Sequence, residues 1–461
     1  MYSSHLDKYL HRYSDYDCYP LYGGEMADLD QIVVIPALAE KETLFHTLAS
    51  LARNGEDELK HSLVLCVINN RPSPFATTED IRNNQETMMI MKGMIKGDLP
   101  DHHLADTNIT ALVQETLERP LRLAFVDASS PGHELPRKGG VGHARKIGMD
   151  RALTLLDPLH HEKKRIFCLD ADTFVDPSYL SALRNHFERF SPPGAVVAFS
   201  HRIPDDRCLA AGICCYEIFL RYYVLGLNWA GSPYAFHTIG STMACTAAAY
   251  TAVRGMPCRQ AGEDFYFLNK LAKLAPLGFV RDTTVYPSAR PSGRVPFGTG
   301  RRMLRFLAGA HDEYLIYDPM IFSILKAWLE EFAREPDSSG NDLLARALSI
   351  SLRLHAFLDR NEFATVWERI RGANHRHEYL TRQFHGWFDG FKTLKLIHEL
   401  SADDFPPIHT FKALKILFQQ MNIPTPGILD NNECRSLDKQ MPVLDFLRQR
   451  SLTATKSRHV A

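Results

Sequence analysis

Two carboxylates one residue apart close an apolar run in this chain, where Arg165-Ile166-Phe167-Cys168-Leu169 is followed by Asp170-Ala171-Asp172-Thr173. The run reads as a buried strand, and two ionised carboxylates at its end repel each other unless a cation or hydrogen-bond donors compensate them. A hard divalent cation together with a diphosphate is the economical solution, because Mg2+ and Mn2+ prefer oxygen ligands and keep substrate phosphates in their shell. The same residues also suit a plain turn in which Asp172 caps a local amide.

Three further segments carry chemistry. Gln31-Ile32-Val33-Val34-Ile35-Pro36-Ala37-Leu38-Ala39-Glu40 is an apolar strand ended by proline, with an acidic residue at the following helix start. Ligands of open α/β sheets bind at the carboxyl ends of strands, which is where Pro36, Ala37 and Glu40 fall. Glu40 there could take a ribose hydroxyl, or simply cap a helix. Arg137-Lys138-Gly139-Gly140-Val141-Gly142-His143-Ala144-Arg145-Lys146 opens a helix with glycines and positive charge. Free amides plus Lys138 and Arg145 suit a diphosphate, although the segment matches neither a Walker A loop nor a dinucleotide fingerprint. Finally, Gly240-Ser241-Thr242-Met243-Ala244-Cys245-Thr246 leads to Gly262-Glu263-Asp264 at a helix start. Acidic residues in a first turn are common caps, but in a cleft the same placement suits a general base.

The elements that must position these residues follow from hydrophobic periodicity. Short β-branched runs at 31–35, 63–68, 121–126, 165–169, 195–200 and 279–285 alternate with helical patterns, the signature of an α/β domain with a largely parallel sheet. Residues 71–118 form an insertion with a helix expected over 78–95, whose Met88, Met89 and Met91 are read as packing. Beyond about 305 the strands are expected to stop. Leu343, Ala347, Ile350, Leu354 and Phe357, and then Leu380, Phe384, Trp387, Phe391 and Leu394, recur at helical spacing.

Composition bounds the rest. At 461 residues two or three domains are expected, taking roughly 150 residues for each. Lys+Arg is 53 against Asp+Glu 54, so no global field attracts nucleic acid or anionic lipid, and none is expected as a partner. Nine cysteines without a Cys-x-x-Cys pair read as buried thiols of a reducing compartment, and the amino terminus lacks a signal-peptide pattern, so a cytoplasmic location is expected. The apolar stretch 208–227 contains Glu217 and Arg221, each costly at a bilayer centre, and is read as a buried helix rather than a transmembrane segment.

Taken in order, the four segments resemble the family 2 glycosyltransferases. Pro36-Ala37 with Glu40, then Gly140-Val141-Gly142-His143-Ala144-Arg145-Lys146-Ile147-Gly148, then Asp170-Ala171-Asp172, then Glu263-Asp264 are similar to that family's ordered motifs over roughly residues 30–295. The resemblance implies a GT-A fold, a mixed and mostly parallel sheet flanked by helices, to which the helical spacing beyond 305 adds a helical carboxyl-terminal region. It implies a metal-dependent, hexosyltransferase-like transfer of sugar from a nucleotide-diphosphate donor to an acceptor hydroxyl, with inversion. Asp172 and Asp170 would hold Mn2+ or Mg2+, and Pro36, Ala37, Glu40, Asn69, Lys138, Arg145 and Asp170 would bind the nucleotide sugar. Asp264, with Glu263 beside it, would be the base.

The chain is then divided into an extension at 1–29, the glycosyltransferase-like domain at 30–305, a helical region at 306–451 serving acceptor choice or homo-oligomerisation, and a disordered tail at 452–461. Departures are Lys146 where the family has Asn, and Asn69-Asn70 where a base-recognising Asp is expected; Asp127 resembles that turn but comes late in the chain. A third metal ligand, often His, is not offered by Tyr286-Pro287-Ser288-Ala289-Arg290, which leaves His237 and His311 as candidates. Arg290, Arg294, Arg301 and Arg302 suggest either a loop closing over the diphosphate or a surface linker. The alternatives are a non-catalytic nucleotide-sugar-binding scaffold and a haloacid-dehalogenase-like phosphatase, whose Asp-x-Asp strand normally comes first in its domain.

Overall fold

The computed structural model describes residues 2–23, 26–97, 107–424, 427–430 and 435–453. They divide into two compact units, one of residues 1–202, 238–290 and 294–298, the other of residues 203–237, 291–293 and 299–461. Residues 203–237 thus fall in the second unit although they lie within the 30–305 segment.

The first unit is built on nine strands: β1 (Leu21–Gly23), β2 (Gln31–Ala37), β3 (Ser62–Asn69), β4 (Arg122–Ala128), β5 (Arg165–Cys168), β6 (Phe174–Val175), β7 (Gly194–Phe199), β8 (Met243–Thr246) and β9 (Gly278–Tyr286). Their order across the sheet is β1-β4-β3-β2-β5-β8-β7-β9-β6. Strands β2, β3, β4, β5, β7 and β9 run one way, while β1, β6 and β8 run against them. The result is the expected mixed, mostly parallel sheet flanked by helices.

All residues of β2 and β3 are buried, which is why both read as unbroken apolar runs. From β2 the chain moves to β3 and β4 on one side, then crosses through the helix Val141–Leu155 to β5 on the other, making β2/β5 the switch point of the sheet. That helix lies directly on the sheet because residue 148 is glycine: a Cβ there would stand 2.4 Å from Val34 Cγ1 and 2.8 Å from Val67 Cγ2.

The amino-terminal extension is structured. Helix Tyr2–Tyr13 leads to β1, which pairs with β4 at the sheet edge. Tyr9 and Tyr250 both donate to Asp150 Oδ1 at 2.7 Å, and Lys146 donates to Asp150 Oδ2 at 2.7 Å and to the Tyr9 hydroxyl at 3.0 Å. Lys146 is therefore the counter-ion of a buried carboxylate, anchoring the extension to the crossover helix. In the insertion, helix Thr78–Lys96 buries Met88 and Met91 as expected, but Met89 is exposed.

The second unit is mainly helical. Its core gathers Trp328, Phe332, Phe363, Trp367 and Phe384. Two expectations are corrected here. The strands do not stop at 305, since Leu315–Ile316 and Ile408–His409 pair antiparallel. Each of the two helical patterns is also two helices: Ser351 is extended and caps Leu352–Arg360, and Asp389 caps Gly390–Asp403. After the first break Leu354 and Phe357 are still buried, whereas after the second the buried apolar residues are Leu396, Ile397 and Leu400 rather than Phe391 and Leu394.

Helix Arg207–Trp229 is long and apolar enough to cross a membrane by length and composition. Its Ile213, Ile218 and Tyr222 are buried, and its buried Glu217 pairs with Arg221 at 2.7 Å and Arg448 at 2.8 Å within the same unit. Leu452 and Thr453, expected in the tail, belong to helix Leu437–Thr453; residues 454–461 lie outside the described residues, as does Cys434. The eight described cysteines are free thiols.

Candidate active site

The carboxyl ends of β2 and β5 bring the first two motifs together. Pro36 and Ala37 are buried strand residues. Ala39, at φ 50°, takes a left-handed conformation rare for a residue with a Cβ, and its amide is held by Asn84 Oδ1 at 2.8 Å. Glu40 occupies the N-cap position of helix Lys41–Ala52 but makes no capping bond. Its Oε2 accepts from Thr43 Oγ1 at 2.7 Å, while its Oε1 meets Arg290 Nη2 at 2.5 Å and Arg294 Nη1. The capping reading of Glu40 therefore gives way to an ion cluster.

Beyond β5, Asp170 Oδ1 accepts from Arg145 Nη2 at 2.5 Å, and Asp172 Oδ2 lies 3.3 Å from Arg290 Nη2. Asp172 caps no local amide among the described residues. Desolvation, with the like charges of Asp170 and Glu40, pushes its carboxyl up to about 6, against the pull of Arg290 and Arg202. Asp170 and Asp172 each keep an oxygen that no described hydrogen bond uses. With Glu40 this is an all-oxygen, mutually repelling donor set, the chemistry that suits a hard divalent cation. Among the described residues no ready group of three His, Cys, Asp or Glu is arranged to hold a metal, and His237 and His311 belong to the second unit.

Arg145 organises the site. It is buried, and its three nitrogens are engaged: Nη2 with Asp170, Nη1 with the Gly240 carbonyl at 2.8 Å, and Nε with Glu263 Oε1 at 3.1 Å. It thus spans the Asp-x-Asp turn and the start of helix Glu263–Ala272 instead of presenting its charge to a ligand. The glycines before it also serve packing: the Gly142 amide donates to Arg259 O at 3.3 Å, and a Cβ at that position would stand 2.6 Å from Pro257 O. The Gly142 amide of this helix start is thus engaged within the fold. Lys138 is exposed and makes no hydrogen bond or ion pair among the described residues.

Glu263 and Asp264 differ in their surroundings. Glu263 is buried against Arg145, and burial raises its pKa despite that partner. Asp264 is partly exposed, accepts from the Phe265 amide at 2.7 Å, and is pushed up to about 7 by desolvation and then by Glu263. A carboxylate that titrates near neutrality next to the Arg145–Glu263–Asp170 ion cluster is suited to take a proton.

Two candidates for base recognition are occupied within the fold. Asn69 Nδ2 donates to Ala37 O and Val67 O, both at 3.0 Å, and Asp127 Oδ1 accepts from the amides of Ser129 and Ser130 at 3.0 and 2.8 Å. Sequence reasoning missed Asn84. Besides holding Ala39, its Nδ2 reaches Asn69 O at 3.0 Å, Asn70 Oδ1 at 2.9 Å and Ser129 Oγ at 3.3 Å, tying the ends of β2, β3 and β4. Of the basic stretch, Arg290 and Arg294 join the Glu40 cluster, whereas Arg302 lies in helix Thr299–Ala308 of the second unit and pairs with Glu313.

No protein-family model matches the chain, and no curated protein matches it. Among solved structures it is similar to S. aureus TarS 1-349 in complex with UDP-GlcNAc, at 12% identity, covering 78% of this chain and 91% of that one, with a TM-score of 0.36. It is also similar to the mannosyltransferase PcManGT from Pyrobaculum calidifontis in complex with GDP-Man and Mn2+, at 15% identity, covering 83% of this chain and 95% of that one, with a TM-score of 0.34.

Proposed function

We propose that the chain is a glycosyltransferase that moves a sugar from a nucleotide-diphosphate donor to an acceptor hydroxyl, with inversion at the transferred carbon. The observation that carries this reading is the bridge made by Arg145, which fastens the Asp170-Ala171-Asp172 turn to the helix start bearing Asp264. Acidic groups of two kinds meet there: a charge-dense set at the β2/β5 switch point, with Asp172 pushed up to about 6, and Asp264, pushed up to about 7.

In this reading Asp172 and Asp170 hold a divalent cation, Mn2+ or Mg2+, whose chemistry is to neutralise charge on the departing diphosphate. Asp264 accepts the proton of the acceptor hydroxyl as that oxygen attacks the anomeric carbon, and the nucleoside diphosphate leaves from the opposite face. Arg145 positions Asp170 and the Asp264 helix; with its nitrogens engaged, contact with phosphate passes to Arg290, Arg294 and Lys138. Glu40 and the β2 end face the donor's ribose.

Incubating the protein with a panel of nucleotide sugars and Mn2+, and following nucleoside diphosphate release with and without candidate acceptors, tests the proposal. Turnover of one donor that Asp264→Asn abolishes is expected. Binding of a nucleotide sugar without any turnover would favour a non-catalytic scaffold.

A further inference from the structure

The loop after β9 carries two arginines to the carboxyl ends of β2 and β5. Arg290 Nη2 lies 2.5 Å from Glu40 Oε1 and 3.3 Å from Asp172 Oδ2, and Arg294 Nη1 pairs with the same Glu40 oxygen. The two side chains are 40% and 38% exposed, while that of Glu40 is 9% exposed. The guanidiniums thus sit on the solvent side of the carboxylates and can leave without opening the core.

We propose that Arg290 and Arg294 are resident counter-ions, displaced when a divalent cation arrives together with a nucleoside diphosphate, so that cation and diphosphate bind as a coupled pair. The inference rests on the reading of Asp170 and Asp172 as the cation-holding carboxylates. Glu40, Asp170 and Asp172 are met by the guanidiniums of Arg290, Arg294 and Arg145, and that of Arg202 donates to the Asp172 carbonyl at 3.0 Å. Arg145 is buried and held by three partners, whereas the two loop arginines lie at the solvent-facing side of the cluster.

A cation entering alone must expel a guanidinium into water and add charge to a site already balanced. A diphosphate entering alone approaches three carboxylates. When both enter, the cation takes oxygens of Asp170 and Asp172, the ribose hydroxyls take Glu40, and the displaced guanidiniums find a partner in the phosphate oxygens that they bind best in a bidentate manner. Linkage then requires each ligand to tighten the other by the same factor.

Binding of Mn2+, followed by the paramagnetic resonance signal of the free ion, tests this without any catalytic readout. Wild type, the double variant Arg290→Gln/Arg294→Gln and Asp172→Asn are titrated alone, then with UDP or with GDP, after confirming that their thermal midpoints agree. Wild type is expected to bind Mn2+ at least tenfold more tightly with a diphosphate than without. The double variant should bind Mn2+ alone at least tenfold more tightly than wild type and lose most of the diphosphate-dependent gain, while Asp172→Asn binds poorly throughout. Equal Mn2+ affinity and equal gain in wild type and double variant would overturn the counter-ion role while leaving the cation site standing if Asp172→Asn still loses binding. Absence of Mn2+ binding in every protein, with or without diphosphate, would overturn both.

Discussion

Arg145 Nη2 lies 2.5 Å from Asp170 Oδ1 in a pair whose arginine side chain is only 3% exposed. The guanidinium also holds Glu263, itself 4% exposed, so a single buried cation sets the distance between two segments far apart in sequence. Removing one partner of such a pair leaves the others uncompensated in a poorly hydrated site.

Arg145→Ala is therefore expected to destabilise the protein by about 3 to 5 kcal/mol, the range found when buried pairs are broken. Denaturant unfolding measures it, and a loss below about 1 kcal/mol would show that the bridge does not hold these segments.

Lys146→Met should cost a similar amount, about 3 to 5 kcal/mol, because Asp150 is fully buried and Lys146 is its cation. Tyr9→Phe removes one hydroxyl donor from the same carboxylate and should cost about 1.5 to 3 kcal/mol, the range for hydrogen bonds to charged groups. The order of these two effects, read by chemical denaturation, checks whether the extension is anchored through charge.

Asn84→Ala is expected to cost about 1 to 3 kcal/mol by unpairing the groups that this side chain satisfies at three strand ends. Because Ala39 precedes Glu40, donor affinity should fall as well. Calorimetric titration with the active donor would detect it, and unchanged affinity would separate the Ala39 turn from ligand binding.

A base must be deprotonated to act, so with Asp264 pushed up to about 7 the rate under kcat/KM conditions should rise with pH through that value. Stability takes the opposite sign: a carboxyl whose folded pKa is raised binds protons more readily in the folded state, so its ionisation disfavours folding as pH climbs from about 4 to above 7. Asp264→Asn should remove this part of the decline. A pH series of unfolding midpoints for both proteins tests the pairing of the two effects.

Much of the sheet was legible because β2, β3, β4, β5 and β7 are short runs rich in buried apolar residues, and β9 carries the apolar Phe279, Val280 and Val285. Strand β8, Met243-Ala244-Cys245-Thr246, was not, since its antiparallel place between β5 and β7 depends on partners rather than on its own weak pattern. At the site, carboxylates ending an apolar run exposed Asp170 and Asp172, and acidic residues in the first turn of a helical pattern exposed Glu263 and Asp264. What each touches was beyond the sequence: Arg145 carries the same charge whether it faces phosphate or Glu263, and the contact of Arg290 with Glu40 spans 250 residues. Asn84 sits on an amphipathic helix whose pattern reports burial but not which strand ends its amide will tie.

The central claim is that Asp264 takes the acceptor proton. Its most direct test is the turnover of Asp264→Asn on the donor and acceptor that support wild-type transfer, with donor affinity measured on the same preparation. The account predicts nearly unchanged donor affinity and a kcat lowered by about 10² to 10⁴-fold, the usual worth of a general base. A kcat within a few-fold of wild type, at equal donor affinity, would contradict it.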